Sequence, residues 1–205
     1  MAESSESSPT LAWVRAAQGG DVASFTRLYE QLAPALLTWA DLRIRPAQRA
    51  HVEPMDLVQE VWYRAWRQLP DFAAESVPFR LWIFRVAKNV LLEVVRQAQR
   101  GGGGRAGAGP TTRMFALNNL PDSVTAVSKR MVRDESLASF RARIEQLAEE
   151  ERKLVLHCGL EGLPHKEVAE RMGLGVEAVT KRWQRLRARL VDGGLPGQLL
   201  ALERP

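Results

Sequence analysis

The sequence predicts an all-α fold of two small helical domains joined by a flexible linker, the C-terminal one a helix-turn-helix. Three observations carry this. Apolar residues recur at steps of three and four through most of the chain, and no stretch alternates in the manner of a half-buried strand. The run GGGGRAGAGP at 101–110 cannot pack a core and separates two patterned regions. Near the end, PHKEVAERM and VEAVTKRWQRLRARL are helical segments on either side of a tight Gly-Leu-Gly turn, which are helix-turn-helix dimensions.

Each element follows from its residues. Positions 1–9 are Ser-rich and acidic, without apolar periodicity, and read as a disordered tail. A helix over 11–18 stops at Gly19-Gly20, and Asp21 is a good N-cap for the next. There Val22, Phe25, Leu28, Tyr29 and Leu32 keep helical spacing. Pro34 is expected to start a new turn or kink this helix before Leu36, Leu37 and Trp39. Pro54 stands where a third helix begins. Its apolar stripe is Leu57, Val58, Val61, Trp62, Ala65 and Leu69, with Asp56, Gln59, Glu60 and Tyr63 opposite. Pro70-Asp71 ends it, 71–78 is a loop, and 79–99 forms a helix with Ile83, Val86, Val90 and Val94 inward and Trp82 packed in the core. The front domain is thus 10–100.

The linker is expected to span 101–131, because NNLPDS is turn chemistry. A second domain covers 132–190. Leu147, Leu154, Val155 and Leu160 mark one helix closed by Gly162; Val168, Ala169 and Met172 mark a second ending at Gly173. Val176, Val179, Trp183, Leu186 and Leu190 mark the third. The tail 191–205 has no assigned role.

Composition narrows the function. At 205 residues and 45% hydrophobic, the chain can bury a core, yet charges interrupt every apolar run, so no membrane insertion is expected. The start, MAESSESSPT, lacks the basic end and apolar centre of a signal peptide. The single cysteine, Cys158, fits a reducing cytoplasm. An enzyme is not expected. His157-Cys158 has no second Cys pair to complete a tetrahedral metal site, and no Gly-Lys-Ser/Thr phosphate loop is present. No catalytic residue, metal or cofactor is assigned.

The net charge of +5 is unevenly placed. From 80 to 100 there are five Lys or Arg against Glu93 alone, beside Trp62, Trp66, Phe72, Phe79, Trp82 and Phe84. Basic helices interleaved with aromatics suit a nucleic-acid backbone and unstacked bases. From 176 to 190 there are again five against one, whereas 144–177 holds eight acids and four bases. Lys181, Arg182 and Arg185 project from the apolar stripe of the last helix, with Thr180 and Gln184 beside them. Arg and Lys reach phosphates or guanine edges, and Gln pairs with adenine. A solvated basic helix would show the charge without the turn; here turn, charge and periodicity coincide.

Read together, these segments resemble the extracytoplasmic-function group of bacterial RNA polymerase sigma factors, over roughly 11–100 and 136–190. AAQGGDVASFTRLYEQLAP looks like the opening of region 2, DLVQEVWYRAW like the polymerase-binding helix, and FRLWIFRVAKN like the melting and −10 segment. EGLPHKEVAERMGLGVEAVTKRWQRLRARL looks like the −35-reading region 4. The resemblance implies that Asp56, Gln59, Glu60 and Tyr63 meet the clamp helices of the largest polymerase subunit, with the flap region a further contact. It implies a −10 loop at 71–78 in which Phe72 helps capture a flipped base, Asn89 close to that strand, and Arg80, Arg85, Lys88 and Arg96 on phosphates. It places Thr180, Lys181 and Gln184 at base-reading positions, with Arg182 and Arg185 nearer phosphates. The linker resembles the segment that threads the polymerase active-site cleft. An anti-sigma factor is the expected regulatory partner, and promoter DNA the second ligand.

The chain departs from the family pattern in three places. Met55 stands where an acid is usual, Gly175 replaces the usual Ser before the last helix, and the loop before Phe79 is one residue longer than the commonest form. The competing reading is a stand-alone helix-turn-helix regulator that binds duplex DNA without polymerase; it leaves 56–89 unexplained. A helical interaction module with an incidental basic face predicts no salt-dependent DNA binding at all.

Overall fold

The computed structural model describes residues 8–44, 46–49, 52–100, 120–192 and 200. The chain divides into two compact units, the first ending at Val132 and the second beginning at Arg133. The first holds α1 (Ser8–Gln18), α2 (Val22–Arg43), α3 (Pro54–Gln68), α4 (Phe79–Arg100) and α5 (Asp122–Val132). The second holds α6 (Glu135–Glu145), α7 (Glu149–Leu154, continued by a wider π turn over Val155–Leu160), α8 (His165–Met172) and α9 (Val176–Asp192). Among the described residues there is no strand, and no helix is long and apolar enough to cross a membrane. The Gly-rich run falls outside the described residues, as do most of the expected tails, but α1 begins at Ser8, inside the expected 1–9 tail, and α9 runs on to Asp192, past the expected end at 190.

In the first unit α2 is the central element, packing against α1, α3 and α5. Its N-terminus is capped as the sequence predicts, the Asp21 carboxylate accepting from the N–H groups of Ala23 at 3.2 Å and Ser24 at 3.1 Å. Pro34 does not interrupt it: the helix is continuous for 22 residues. A proline inside a helix costs about 3 kcal/mol. Here its neighbours Leu32, Ala33, Ala35, Leu36 and Leu37 are all buried, and packing on several sides offsets that cost.

The expected stripe of α3 is buried throughout and lays Trp62 at the centre of an aromatic cluster. Ring centroids lie 5.5 Å from Phe25, 5.0 Å from Tyr29 and 6.1 Å from Phe79. The indole Nε1 of Trp62 is buried without a hydrogen-bond partner among the described residues, so the ring is held there by its apolar surface alone. On α4, Ile83, Val86 and Val90 face inward as expected, while Val94 is only half-buried. Trp82, expected in the core, is only half-buried, whereas Phe79 is wholly buried.

The linker expected to reach 131 gives way at Asp122 to α5, which docks on α2. Val124, Val127 and Met131 are buried at helical spacing. Asp122 in the first turn and Lys129 and Arg130 in the last complement the helix dipole. The Tyr29 hydroxyl meets Ser128 at 2.6 Å inside this contact, Thr26 meets Ser123 at 2.7 Å, and Arg130 reaches Glu30 at 3.0 Å. Burial pushes the Tyr29 phenol up to about 12, against a smaller opposite pull from Ser128. The hydroxyl therefore stays protonated and able to donate.

In the second unit the single helix expected around Leu147 is two. Asp134 caps α6, accepting from the N–H groups of Ser136 and Leu137. The chain turns at 146–148, and α7 then widens into the π turn, where the Glu161 N–H bonds to the Leu156 carbonyl at 3.0 Å. A side chain at Gly159, inside that turn, would force its neighbours to move: a Cβ there would sit 2.7 Å from Cη2 of Trp183 and 2.8 Å from Cδ2 of Leu200. Both of those side chains are buried, so a residue of the C-terminal tail returns to the core of this unit. Gly162 ends the turn, and Gly173 (φ 65) ends α8 in the left-handed region, as the sequence predicts. On α9, Val179, Trp183, Leu186 and Leu190 are buried, but Val176, expected on the same stripe, is 47% exposed. It is the first residue of α9, at the open end of the packed face.

Candidate polymerase and nucleic-acid interfaces

Because the apolar stripe of α3 faces the core, Asp56, Gln59, Glu60 and Tyr63 lie together along its outer side, each partly exposed. Arg64, one turn beyond Glu60, organises this face. It holds Glu60 at 2.7 Å and Glu93 of α4 at 2.7 Å. Burial works against its charge, but the two carboxylates outweigh it and keep the guanidinium above its ordinary value. Arg67 lies over the Tyr63 ring at 5.8 Å. The sequence reading missed Arg64; the Glu60–Arg64 spacing of four was the available signal.

The loop after α3 is pinned to α1. The Gln18 side-chain amide donates to the carbonyls of Leu69 at 3.1 Å and Phe72 at 2.7 Å, and Arg15 pairs with Glu75. Phe72 is only 7% exposed. Trp82 stacks over it at 4.6 Å and 29°, with Phe79 edge-on at 5.8 Å. The partly exposed aromatic face of this loop therefore belongs to Trp82, not Phe72. Beyond it, Arg85, Asn89 and Arg96 are exposed along one line of α4, joined by Leu92, which is 51% exposed. Arg80 and Lys88 are half-buried, and each already has an interaction within the protein.

On α9 the five expected residues separate by environment. Gln184 and Arg185 are exposed. Lys181 is exposed and paired along its own helix with Glu177 at 2.6 Å. Arg182 turns back to Glu150 on α7 at 2.8 Å, as Arg189 does to Glu151 at 2.6 Å. These exposed pairs contribute on the order of 0–1 kcal/mol each. They nevertheless direct Arg182 toward the domain. Thr180 is half-buried: its hydroxyl is 3.0 Å from the Val176 carbonyl and 2.8 Å from Nδ1 of His165, a residue the sequence reading did not single out.

Elsewhere, His157 Nδ1 lies 3.2 Å from the buried carboxylate of Glu161, and the neighbouring Cys158 is buried. Among the described residues no three His, Cys, Asp or Glu side chains assemble into a candidate metal site.

Comparison with known proteins matches the two units in turn. Residues 28–101 match the family model for sigma-70 region 2, and residues 137–190 match that for sigma-70 region 4. The RNA polymerase sigma factor NccH of Alcaligenes xylosoxydans xylosoxydans is 28% identical over 86% of this chain and 89% of its own. CnrH, an RNA polymerase sigma factor of Cupriavidus metallidurans, is 30% identical over 66% of this chain and 70% of its own. SigL, an ECF RNA polymerase sigma factor of Mycobacterium tuberculosis, is 28% identical over 84% of this chain and 89% of its own.

Proposed function

The chain belongs to the extracytoplasmic-function group of RNA polymerase sigma factors, the promoter-specificity subunits of that enzyme, and we propose the following division of labour among its residues. The outer face of α3, with Asp56, Gln59, Glu60 and Tyr63, binds the clamp helices of core polymerase. The 72–78 loop and the exposed line of α4 hold the opened −10 strand. There Trp82 offers the aromatic face while Phe72 shapes the loop from within, and Arg85, Asn89 and Arg96 meet phosphates and base. In the second unit Lys181, Gln184 and Arg185 meet the −35 duplex, with Thr180 beside them and Arg182 braced against α7. The setting is the bacterial cytoplasm, and an anti-sigma factor covers one or both faces when the factor is held inactive.

The observation that carries this reading is the separation of faces on α3 and α4. Each buries its apolar stripe and leaves outward a different set: Asp56, Gln59, Glu60 and Tyr63 beside Arg64 on α3, and Arg85, Asn89 and Arg96 on α4. A stand-alone regulator has no use for the first. The test is binding of reconstituted holoenzyme to two promoter pieces, a −35 duplex and a single-stranded −10 non-template oligonucleotide. Arg85→Ala with Asn89→Ala is expected to weaken binding to the oligonucleotide and spare the duplex. Gln184→Ala with Arg185→Ala is expected to do the opposite. Equal losses on both pieces would refute the division.

A further inference from the structure

Thr180 and His165 meet where the two helices of the helix-turn-helix cross. A threonine hydroxyl has one hydrogen and two lone pairs. The Val176 carbonyl at 3.0 Å only accepts, so it takes the hydroxyl hydrogen. The contact to His165 Nδ1 at 2.8 Å then requires the ring nitrogen to donate. That leaves Thr180 with one unused lone pair and its methyl group, and with nothing to give. A free threonine reads either donors or acceptors; this one accepts only.

We propose that His165 is a positioning residue that fixes Thr180 as an acceptor-only reader of the −35 duplex, so that the base it approaches presents an exocyclic amino group, cytosine N4 or adenine N6. Guanine O6 and thymine O4 are themselves acceptors and would face a lone pair. The sequence alone leaves this polarity open, because it depends on a side chain fifteen residues away on the preceding helix. The inference rests on the assignment of α9 to the −35 duplex and adds to it which base chemistry one position selects.

The experiment uses full-length protein with core polymerase on a promoter fragment found by genomic run-off transcription, with all four base pairs placed at each −35 position in turn. Transcription from each fragment gives the discrimination ratio. Wild type is expected to favour an amino-bearing base at one position, and Thr180→Ala to flatten that position alone. Thr180→Ala with every position unchanged would overturn the proposal by removing Thr180 from base reading; the assignment of α9 to the −35 duplex is judged apart from it, by whether Gln184→Ala with Arg185→Ala loses −35 binding. Given a flattened position, His165→Phe keeps an aromatic ring but lacks the Nδ1 donor. It is expected to reduce discrimination there about three- to tenfold, the range a single hydrogen bond supplies. His165→Asn, whose side-chain amide donates from a position close to that of Nδ1, is expected to restore it. Discrimination kept at the wild-type ratio in His165→Phe would overturn the proposal. So would a uniform loss across all −35 positions that His165→Asn does not repair.

Discussion

Replacing Gly159 by alanine sets two opposed effects against each other, and the structure decides between them. Gly159 lies inside a helical turn with no left-handed backbone requirement. On backbone grounds alone, alanine there gains about 0.4–1 kcal/mol by restricting the unfolded chain. Against this, the new Cβ falls 2.7 Å from the Trp183 ring and 2.8 Å from Leu200. Ordinary carbon contacts begin near 3.5 Å, so something must retreat by roughly 0.7 Å. Leu200 and Trp183 are 2% and 1% exposed, and Trp183 is a rigid ring on the inner face of α9. Overpacking of this kind costs about 1–3 kcal/mol. The net expectation is destabilisation of the second unit by about 1–2 kcal/mol. Hydrogen exchange on the full chain measures it locally: peptides from 149–192 should exchange roughly 5- to 30-fold faster in G159A, with peptides from 22–68 unchanged. Removing one obstacle with Leu200→Ala should recover part of the loss and reveal coupling between the two sites. Exchange in G159A equal to or slower than wild type would refute the reasoning, because it would mean Trp183 is not held where the packing places it.

Three further outcomes follow from the same geometry. Asp56→Ala with Glu60→Ala should reduce retention of core polymerase in a pull-down while the helical circular dichroism stays intact; full retention of polymerase would contradict the α3 assignment. Arg185→Ala should weaken −35 binding by about 1–3 kcal/mol if it reaches a base edge. Arg182→Ala, whose partner is Glu150, should weaken it less, so the reverse order in a salt-controlled binding titration would count against the geometry. The Ser136 hydroxyl and then the Leu137 N–H hold the Asp134 carboxyl below its ordinary value of 3.8, against slight burial. A depressed carboxyl contributes stability that is complete above its unfolded pKa and disappears as pH falls through the folded one. Acid unfolding of the second unit as pH falls below the ordinary carboxyl value of 3.8 should therefore flatten in Asp134→Asn, and identical acid profiles would contradict the cap.

What the sequence made legible was what repeats locally. The stripe of α3, that of α9 from Val179 onward, the Asp21 cap and the Gly173 stop each depend on residues within a turn or two, and each stands where it was expected. The α5 helix was hidden because its apolar set, Val124, Val127 and Met131, follows turn-forming residues and is too short to hold a helix alone. It is completed by α2, about a hundred residues earlier, where Tyr29 meets Ser128. Pro34 does not start a new helix: propensity weighs the lost hydrogen bond and not the packing around the helix. On the candidate faces, residue type and direction were readable, but contacts with the rest of the fold were not. Arg182 pairs with Glu150 across 32 positions, Trp82 shields Phe72, and His165 fixes Thr180. Those are products of helix crossing, which periodicity does not encode.

The measurement that bears most directly on the central claim is run-off transcription by core RNA polymerase on genomic fragments, with and without the full-length chain, after co-purification of the two. The account predicts a stable complex and start sites that appear only when the chain is present, preceded by shared −35 and −10 sequences. Duplex DNA binding by the chain alone, with no polymerase retained and no new start sites, would contradict it.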